Sequence, residues 1–474
     1  MTVCGAFVLS VLEGSVSVLG AKLRASTPSQ IHRLYAPQSH SLPVIKGLKS
    51  KKPASESSTI TLKSLDSGID EIWRICPFAE NLFPSPTIST LGLSPKHKTF
   101  QILFHSPSPI ARTMYPVSWL EALDTISTRK CPKILVCGQK GAGKSTFCQL
   151  LVNSLVRHKA VTYLETDPGQ PSFSPPGLVS IKSFSTPILS PPFTRTGISN
   201  SLRSQHIGNL SPRDNPRHYL DCIGDLLSHD PRDAPTIINT PGWTKGTGYE
   251  LLTSLIDLVR PEYVVVLSIP GNDSLARSLH PLASECQSQL LLIESANAIP
   301  PSIPLTAADL RTLGIMTYFH STGQDRWDFK THLTAWKPWM AKLSGDDRGI
   351  WAIAIQGEEL LLEDTLLAIN GAMVAIIVIS AIPDEYVSCT AEGIPVLMNR
   401  GSKFMDPRSS RCVGYAVIRG VDSKNGRMFL LTPWEPASIK DHEKIVLERG
   451  HVNLPVWGLW NSNNQCKLGP WLQR

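Results

Sequence analysis

Gly138-Gln139-Lys140-Gly141-Ala142-Gly143-Lys144-Ser145-Thr146 is a complete GxxxxGK[ST] loop, and the sequence on either side is what such a loop needs. Before it, Lys133-Ile134-Leu135-Val136-Cys137 is a short apolar run that reads as a buried strand. After it, Thr146 to Val156 places apolar residues at helical spacing. Strand, glycine-rich loop and helix in that order turn the pattern into a phosphate site. The glycines let backbone N–H groups converge on a β-phosphate, and the helix start adds positive potential. Residues 138–146 are therefore expected to cradle a nucleotide, with Lys144 reaching its β/γ oxygens and the Ser145 hydroxyl ligating Mg²⁺.

Working outward, the next apolar run, Val161-Thr162-Tyr163-Leu164, ends in Glu165-Thr166-Asp167-Pro168-Gly169-Gln170. Acidic groups at a strand's C-terminal end beside such a loop sit where a metal carboxylate or a base must stand. Two carboxylates one residue apart point the same way from extended backbone, so one can serve the metal and the other an acceptor hydroxyl. The alternative is a solvated turn capped by Asp167-Pro168-Gly169. Further β-runs follow at Thr236-Ile237-Ile238, Tyr263 to Leu267 and Gln289 to Ile293, with helical segments between them. The pattern predicts an α/β class, a core with a mostly parallel sheet and crossover helices. The Pro/Ser/Arg-rich stretch 185–217 reads as an excursion from it.

The chain has 474 residues, 42% hydrophobic and 18% charged, enough for two or three folded domains. Its 38 prolines favour turns over long helices, and its formal net charge of +7 suits a polyanionic partner without requiring one. Ten cysteines without CxxC pairing read as reduced thiols and argue against a structural zinc site. Met1 to Gly20 is apolar but lacks a basic start; it alternates like a hairpin, Phe7–Leu12 turning into Ser15–Leu19, so neither a signal peptide nor a membrane span is expected. Ala372 to Ile382 is too short to span a bilayer and reads as a core strand. Strand-like runs separated by turns at Val44-Ile45, Thr59–Leu62 and Phe100–Phe104 predict an N-terminal β-rich domain over 1–117. The nucleotide core is expected over 118–343, and a C-terminal β-rich domain over 344–474 with strands at Gly414–Ile418 and Met428–Leu431. Lys49, Lys51 and Lys52 read as a polar loop.

Taken together, these blocks resemble the eukaryotic polynucleotide 5′-hydroxyl kinase family. Glu165 to Gly177, following the second strand, is similar to the family's block at that place; His206 to Tyr219 resembles its G-x-x-S-P-x-x-x-P-x-x-Y block. Asn239-Thr240-Pro241-Gly242-Trp243-Thr244-Lys245-Gly246 resembles the clasp that holds an RNA end. Asp309-Leu310-Arg311-Thr312-Leu313 with Tyr318-Phe319-His320 resembles the lid that brings an arginine to the phosphates. Leu19–Leu23, Tyr35-Ala36-Pro37, Ser41–Ile45 and Arg449–Val456 resemble the branch that processes pre-ribosomal RNA. The family's first acidic residue is often Asp, and here it is Glu165.

The resemblance implies an ATP-dependent, Mg²⁺-requiring kinase of RNA 5′-hydroxyl ends, located in the nucleus and nucleolus. Its partner would be a HEPN-type endoribonuclease of pre-rRNA processing. It makes Lys144, Asp167 and Arg311 the catalytic set, with Asp167 as base, Ser145 and Glu165 on the metal, and Gln170, Trp243 and Lys245 at the RNA. An exposed Trp243 can stack on a terminal base without reading sequence, whereas core packing is its alternative. Lys245, Arg213 and Arg217 can meet RNA phosphates or sit in solvated turns. Two other functions stay open: a GTPase, since Asn239-Thr240-Pro241-Gly242 is one residue from a D-x-x-G switch although no N-K-x-D motif occurs, and a silent scaffold for a nuclease. The tail, with Trp457, Trp460 and Trp471, either docks a partner or folds back on the C-terminal domain.

Overall fold

The computed structural model describes residues 1–48, 57–84, 98–103, 111–157, 159–198, 201–296, 300–345, 347–357, 361–380, 384–398, 405–435, 439 and 443–455. Lys49, Lys51, Lys52 and the tail tryptophans lie outside these residues.

Seven strands form the central sheet, in the order Arg203–His206, Leu178–Phe184, Val161–Glu165, Thr236–Asn239, Lys133–Gly138, Tyr263–Ser268 and Gln289–Glu294. Pairing is parallel from Val161–Glu165 to Gln289–Glu294, and the first two strands are antiparallel. Alternate side chains of each strand feed two cores, because successive residues point to opposite faces. Ile134 and Val136 pack with Trp119, Phe147 and Leu151 on one face. Leu135 and Cys137 pack with Tyr219, Leu255 and Leu279 on the other. Helices Val117–Ser127 and Lys144–Leu155 therefore cover one face, and Pro216–Ser228, Thr247–Val259 and Ser274–Glu285 the other. The 185–217 stretch is only partly an excursion: it supplies a 3-10 turn, Pro192–Thr194, and the edge strand Arg203–His206.

In the N-terminal part, strand Thr2–Glu13 pairs antiparallel with His32–Ala36, Thr59–Ser64 and Phe100–Leu103. The expected hairpin of Phe7–Leu12 with Ser15–Leu19 does not form. Ser15–Val18 instead pairs with Ala21–Arg24 in a separate small sheet. The reason is the two-residue turn Leu19-Gly20, with φ +48° and +82°, which closes a tight hairpin one strand later. That hairpin tip seats on the helix after the glycine loop: Asn153 Nδ2 donates to Leu19 O at 2.7 Å.

Eight strands make the C-terminal sheet, and the expected core strand is Met373–Ile379, buried along its whole length. Trp339–Lys342, ahead of residue 344, already belongs to this sheet through pairing with Arg427–Leu431. A single apolar core joins all three parts, running from Ala6 and Ile72 through Leu313 and Phe319 to Ala375 and Tyr415. Buried polar contacts add direction to that junction. Arg203 bonds Asp225 and the Pro407 and Ser410 carbonyls, and His206 Nδ1 meets Glu448 Oε2 at 2.5 Å. Among the described residues no helix is long and apolar enough to cross a membrane, and the described cysteines are free thiols.

Candidate active site

The glycine loop connects strand Lys133–Gly138 to helix Lys144–Leu155, as the pattern predicts. Gly143 has φ +99°, and a Cβ there would lie 2.9 Å from Ala296 Cβ and 3.1 Å from the Trp119 ring, so only glycine fits. Trp119 thus backs the loop, held by its indole N–H to Glu294 O at 2.7 Å. The loop is braced again where Ala296 N donates to Ala142 O. Lys144 is buried, and its ammonium donates to Gly138 O and Gln139 O, both at 3.0 Å. Burial lowers its pKa, opposed by Asp167 and other nearby groups. Ser145 and Thr146 stay exposed, facing open space.

Glu165 and Asp167 have different surroundings. Glu165 is wholly buried; Oε1 accepts from Asp167 N at 3.0 Å and Asn239 Nδ2 at 2.9 Å, and Oε2 from Ser172 N at 3.0 Å. Burial, then Asp167, pushes its pKa up to about 7. Asn239 Nδ2 also reaches Ser145 Oγ at 3.4 Å, so one amide links the buried carboxylate to the loop hydroxyl. Asp167 is more open. Its Oδ1 accepts from Gly169 N and Gln170 N at 2.9 and 3.2 Å, and among the described residues no donor engages Oδ2. Burial raises its pKa, and Lys144 and Lys140 oppose the rise.

Two adjoining hollows meet at Ser145. A cleft of about 840 Å³ runs from Ser145 and Thr146 past Tyr163, Phe173 and Arg195 to the N-terminal part at Tyr35 and Arg112. A smaller one of about 180 Å³ is lined by Ser145, Gln170, Ser174 and the half-buried Arg311. Arg311 stands on helix Ala307–Phe319, whose start is fixed by a reciprocal Thr306–Asp309 capping box. Folding therefore brings Ser145, Gln170 and Arg311 to one place. Trp243 lies at another edge, half-buried, its indole over Gly248: a Cβ there would sit 2.3 Å from Trp243 Cγ. Gly242 beside it packs on the Lys140 backbone, which joins this segment to the loop. Lys245, Arg213 and Arg217 are exposed.

Several residues that shape the site escape a pattern-based reading. Asn239 is visible in the sequence as part of the clasp-like block and as a mismatch to a GTPase motif, not as a partner of Glu165, and Trp119 only as a residue of a preceding helix. His40 and Arg195, which line the cleft, carry no local signal at all.

The chain is similar to known proteins in sequence and in fold. Residues 138–321 match the family model described as mRNA cleavage and polyadenylation factor CLP1 P-loop. The fold resembles that of the structure titled wild-type Clp1p–Pcf11p complex, with TM-score 0.57 and 15% identity over 94% of this chain and 93% of that one. Polynucleotide 5′-hydroxyl-kinase grc3 of Schizosaccharomyces pombe is 32% identical over 446 residues, covering 85% of this chain and 58% of the relative. The Gibberella zeae protein of that name is 30% identical over 512 residues, covering 96% and 68%. The chain thus spans about three-fifths to two-thirds of the length of these curated relatives. It belongs to the Grc3 family of polynucleotide 5′-hydroxyl kinases.

Proposed function

We propose that this chain transfers the γ-phosphate of ATP to the 5′-hydroxyl of an RNA end. The observation that carries the reading is the convergence of Ser145, Gln170 and Arg311 on one hollow beside Lys144. Phosphoryl transfer asks for positioning and charge neutralisation rather than covalent chemistry, and these residues supply both. To reach the β/γ oxygens, the Lys144 ammonium exchanges its two loop carbonyls for phosphate oxygens. Arg311 neutralises charge on the transferred group from the lid side. Asp167, with one oxygen held by backbone amides and Oδ2 open, accepts the hydroxyl proton; its raised pKa moves it toward the range a general base needs. Gln170 orients groups at the same hollow.

The oxygen donors present suit Mg²⁺, a hard cation. Ser145 Oγ would hold it, and Glu165, whose oxygens already accept three N–H groups, would support it through Asn239. When bound, the ion neutralises charge on the phosphates. Trp243 and Lys245 receive the RNA end, the indole stacking on a base and the ammonium meeting a phosphate.

A GTPase fits less well: the Asn239 amide is committed to Glu165 and Ser145, and the sequence has no guanine-reading N-K-x-D. Membership in the Grc3 family supports a place in pre-rRNA spacer processing, in the nucleolus, with a HEPN-type endoribonuclease supplying the 5′-hydroxyl ends. Incubating the chain with 5′-hydroxyl RNA and either ATP or GTP, then measuring 5′-phosphate on the RNA, tests the proposal. ATP-dependent product is expected; GTP hydrolysis without RNA product points to the GTPase.

A further inference from the structure

Arg195 follows the 3-10 turn Pro192–Thr194 and lines the large cleft together with Ser145 and Thr146 of the glycine loop. Its Nε donates to Pro191 O at 3.2 Å, and its guanidinium covers the Phe173 ring at 4.7 Å. Two prolines and a ring thus fix where the charge sits. Among the described residues Arg195 forms no ion pair, and Pro191 O is the acceptor it engages. The groups that favour its charge are the Tyr163 hydroxyl and then Glu165, which is buried, engaged by three N–H groups and shifted toward its neutral form. The charge of Arg195 bears on its neighbours: burial, then Arg195, takes His40 down to about 4 and Lys182 to about 8. Burial brings Arg195 itself down to about 9.

A cation withdrawn from water without a counter-charge is costly, and interiors normally pair it. Here its open side faces a cleft that also contains Ser145 and Thr146, where the loop must place a phosphate chain. We propose that Arg195 is a further phosphate-binding cation beside Lys144 and Arg311, contacting the β/γ-phosphates of a nucleoside triphosphate from the wall of this cleft. This rests on the reading that the cleft holds a nucleotide and adds how it distinguishes triphosphate from monophosphate. The guanidinium suits the task because its planar fork binds phosphate oxygens in pairs. Its anchorage to Pro191 and Phe173 keeps it in place before the nucleotide arrives.

The test is calorimetric titration of the full chain with Mg²⁺ and, separately, ATP and AMP, using wild type, Arg195→Met and Arg195→Lys. Arg195→Met should weaken ATP by about 10–100-fold, the loss expected for a charged hydrogen-bonding group. AMP should stay within about twofold, and Arg195→Lys should recover only part of the ATP affinity, because an ammonium restores the charge but not the paired fork. Equal losses for ATP and AMP, or unchanged ATP binding in Arg195→Met, overturn the proposal. So does failure of both variants to fold, which assigns Arg195 to architecture. If wild type binds neither nucleotide, the nucleotide reading itself fails, and that result is distinct from all of these.

Discussion

At the scale of single residues, the site separates two carboxylates that sequence spacing leaves equivalent. Glu165 and Asp167 stand at one strand end, yet Glu165 is enclosed by three N–H donors while Asp167 keeps an oxygen open. The account predicts that Asp167→Asn lowers kcat by about 10²–10⁴-fold with ATP affinity retained, the usual reach of general-base removal. Glu165→Gln should act differently. It loses an acceptor for amides that are already placed, so loop order and Mg²⁺ dependence should change more than the pH profile of transfer. Turnover and ATP binding measured on both variants decide this; a barely affected Asp167→Asn beside an inactive, ATP-binding Glu165→Gln reverses the roles. The positions of Lys144, Ser145, Glu165 and Asp167 were legible in the sequence because each lies within a few residues of a glycine-loop or strand signal. Arg195 and His40 were not, since what gives them meaning is a cleft formed by segments more than a hundred residues apart.

At the scale of elements, the segment that carries Trp243 and the helix that carries Arg311 have consequences that can be measured. Trp243 depends on helix Thr247–Val259 presenting Gly248 rather than a larger residue. Gly248→Ala should displace the indole, raising KM for RNA with little change in KM for ATP. Trp243→Ala should have the same selectivity and weaken RNA by about 1–3 kcal/mol, the worth of one stacked base. Equal effects on both substrates in these variants favour a packing role for the indole instead. Helix Ala307–Phe319 is capped by His320, buried with Nδ1 near Met316 O at 3.0 Å and Nε2 without a partner among the described residues. Burial lowers its pKa to about 4. The unfolded chain takes a proton near pH 6.5 and the folded one only near 4, so stability is full above the first value and declines as pH falls through that window. The loss is about 3 kcal/mol at its lower end. Denaturant titrations between pH 7 and 4 should show this slope, reduced in His320→Phe; an unchanged slope in that variant assigns the acid sensitivity elsewhere. Element types were legible where the local signal was strong, as in the short, continuous apolar run that forms Met373–Ile379. The N-terminal hairpin was misjudged because alternation alone does not say which of two nearby turns, Glu13-Gly14 or Leu19-Gly20, closes the pair.

At the scale of the whole molecule, a shared apolar core and a polar seam join the three parts. Glu448 shows how tightly. Burial alone would raise its pKa, but His206 holds it below the usual range. Removing one partner of such a buried pair leaves the other without its hydrogen bond, so Glu448→Ala should cost about 1–3 kcal/mol in the unfolding free energy. A loss under about 1 kcal/mol, the range of a surface pair, contradicts the seam's role. The sequence showed that β-rich parts flank the core, yet this seam was hidden in it: the residues that meet are separated by some two hundred positions and follow no local pattern. What the assembled molecule does is tested most directly at Lys144. Wild type and Lys144→Ala are each incubated with γ-labelled ATP, Mg²⁺ and a 5′-hydroxyl RNA, with a thermal melt confirming the fold of both. The account predicts label on the 5′ end of the RNA with wild type, and a rate lower by about 10²–10³-fold or more with a folded Lys144→Ala, as for loss of one preorganised charge-stabilising donor. Near-equal transfer by the two proteins contradicts it.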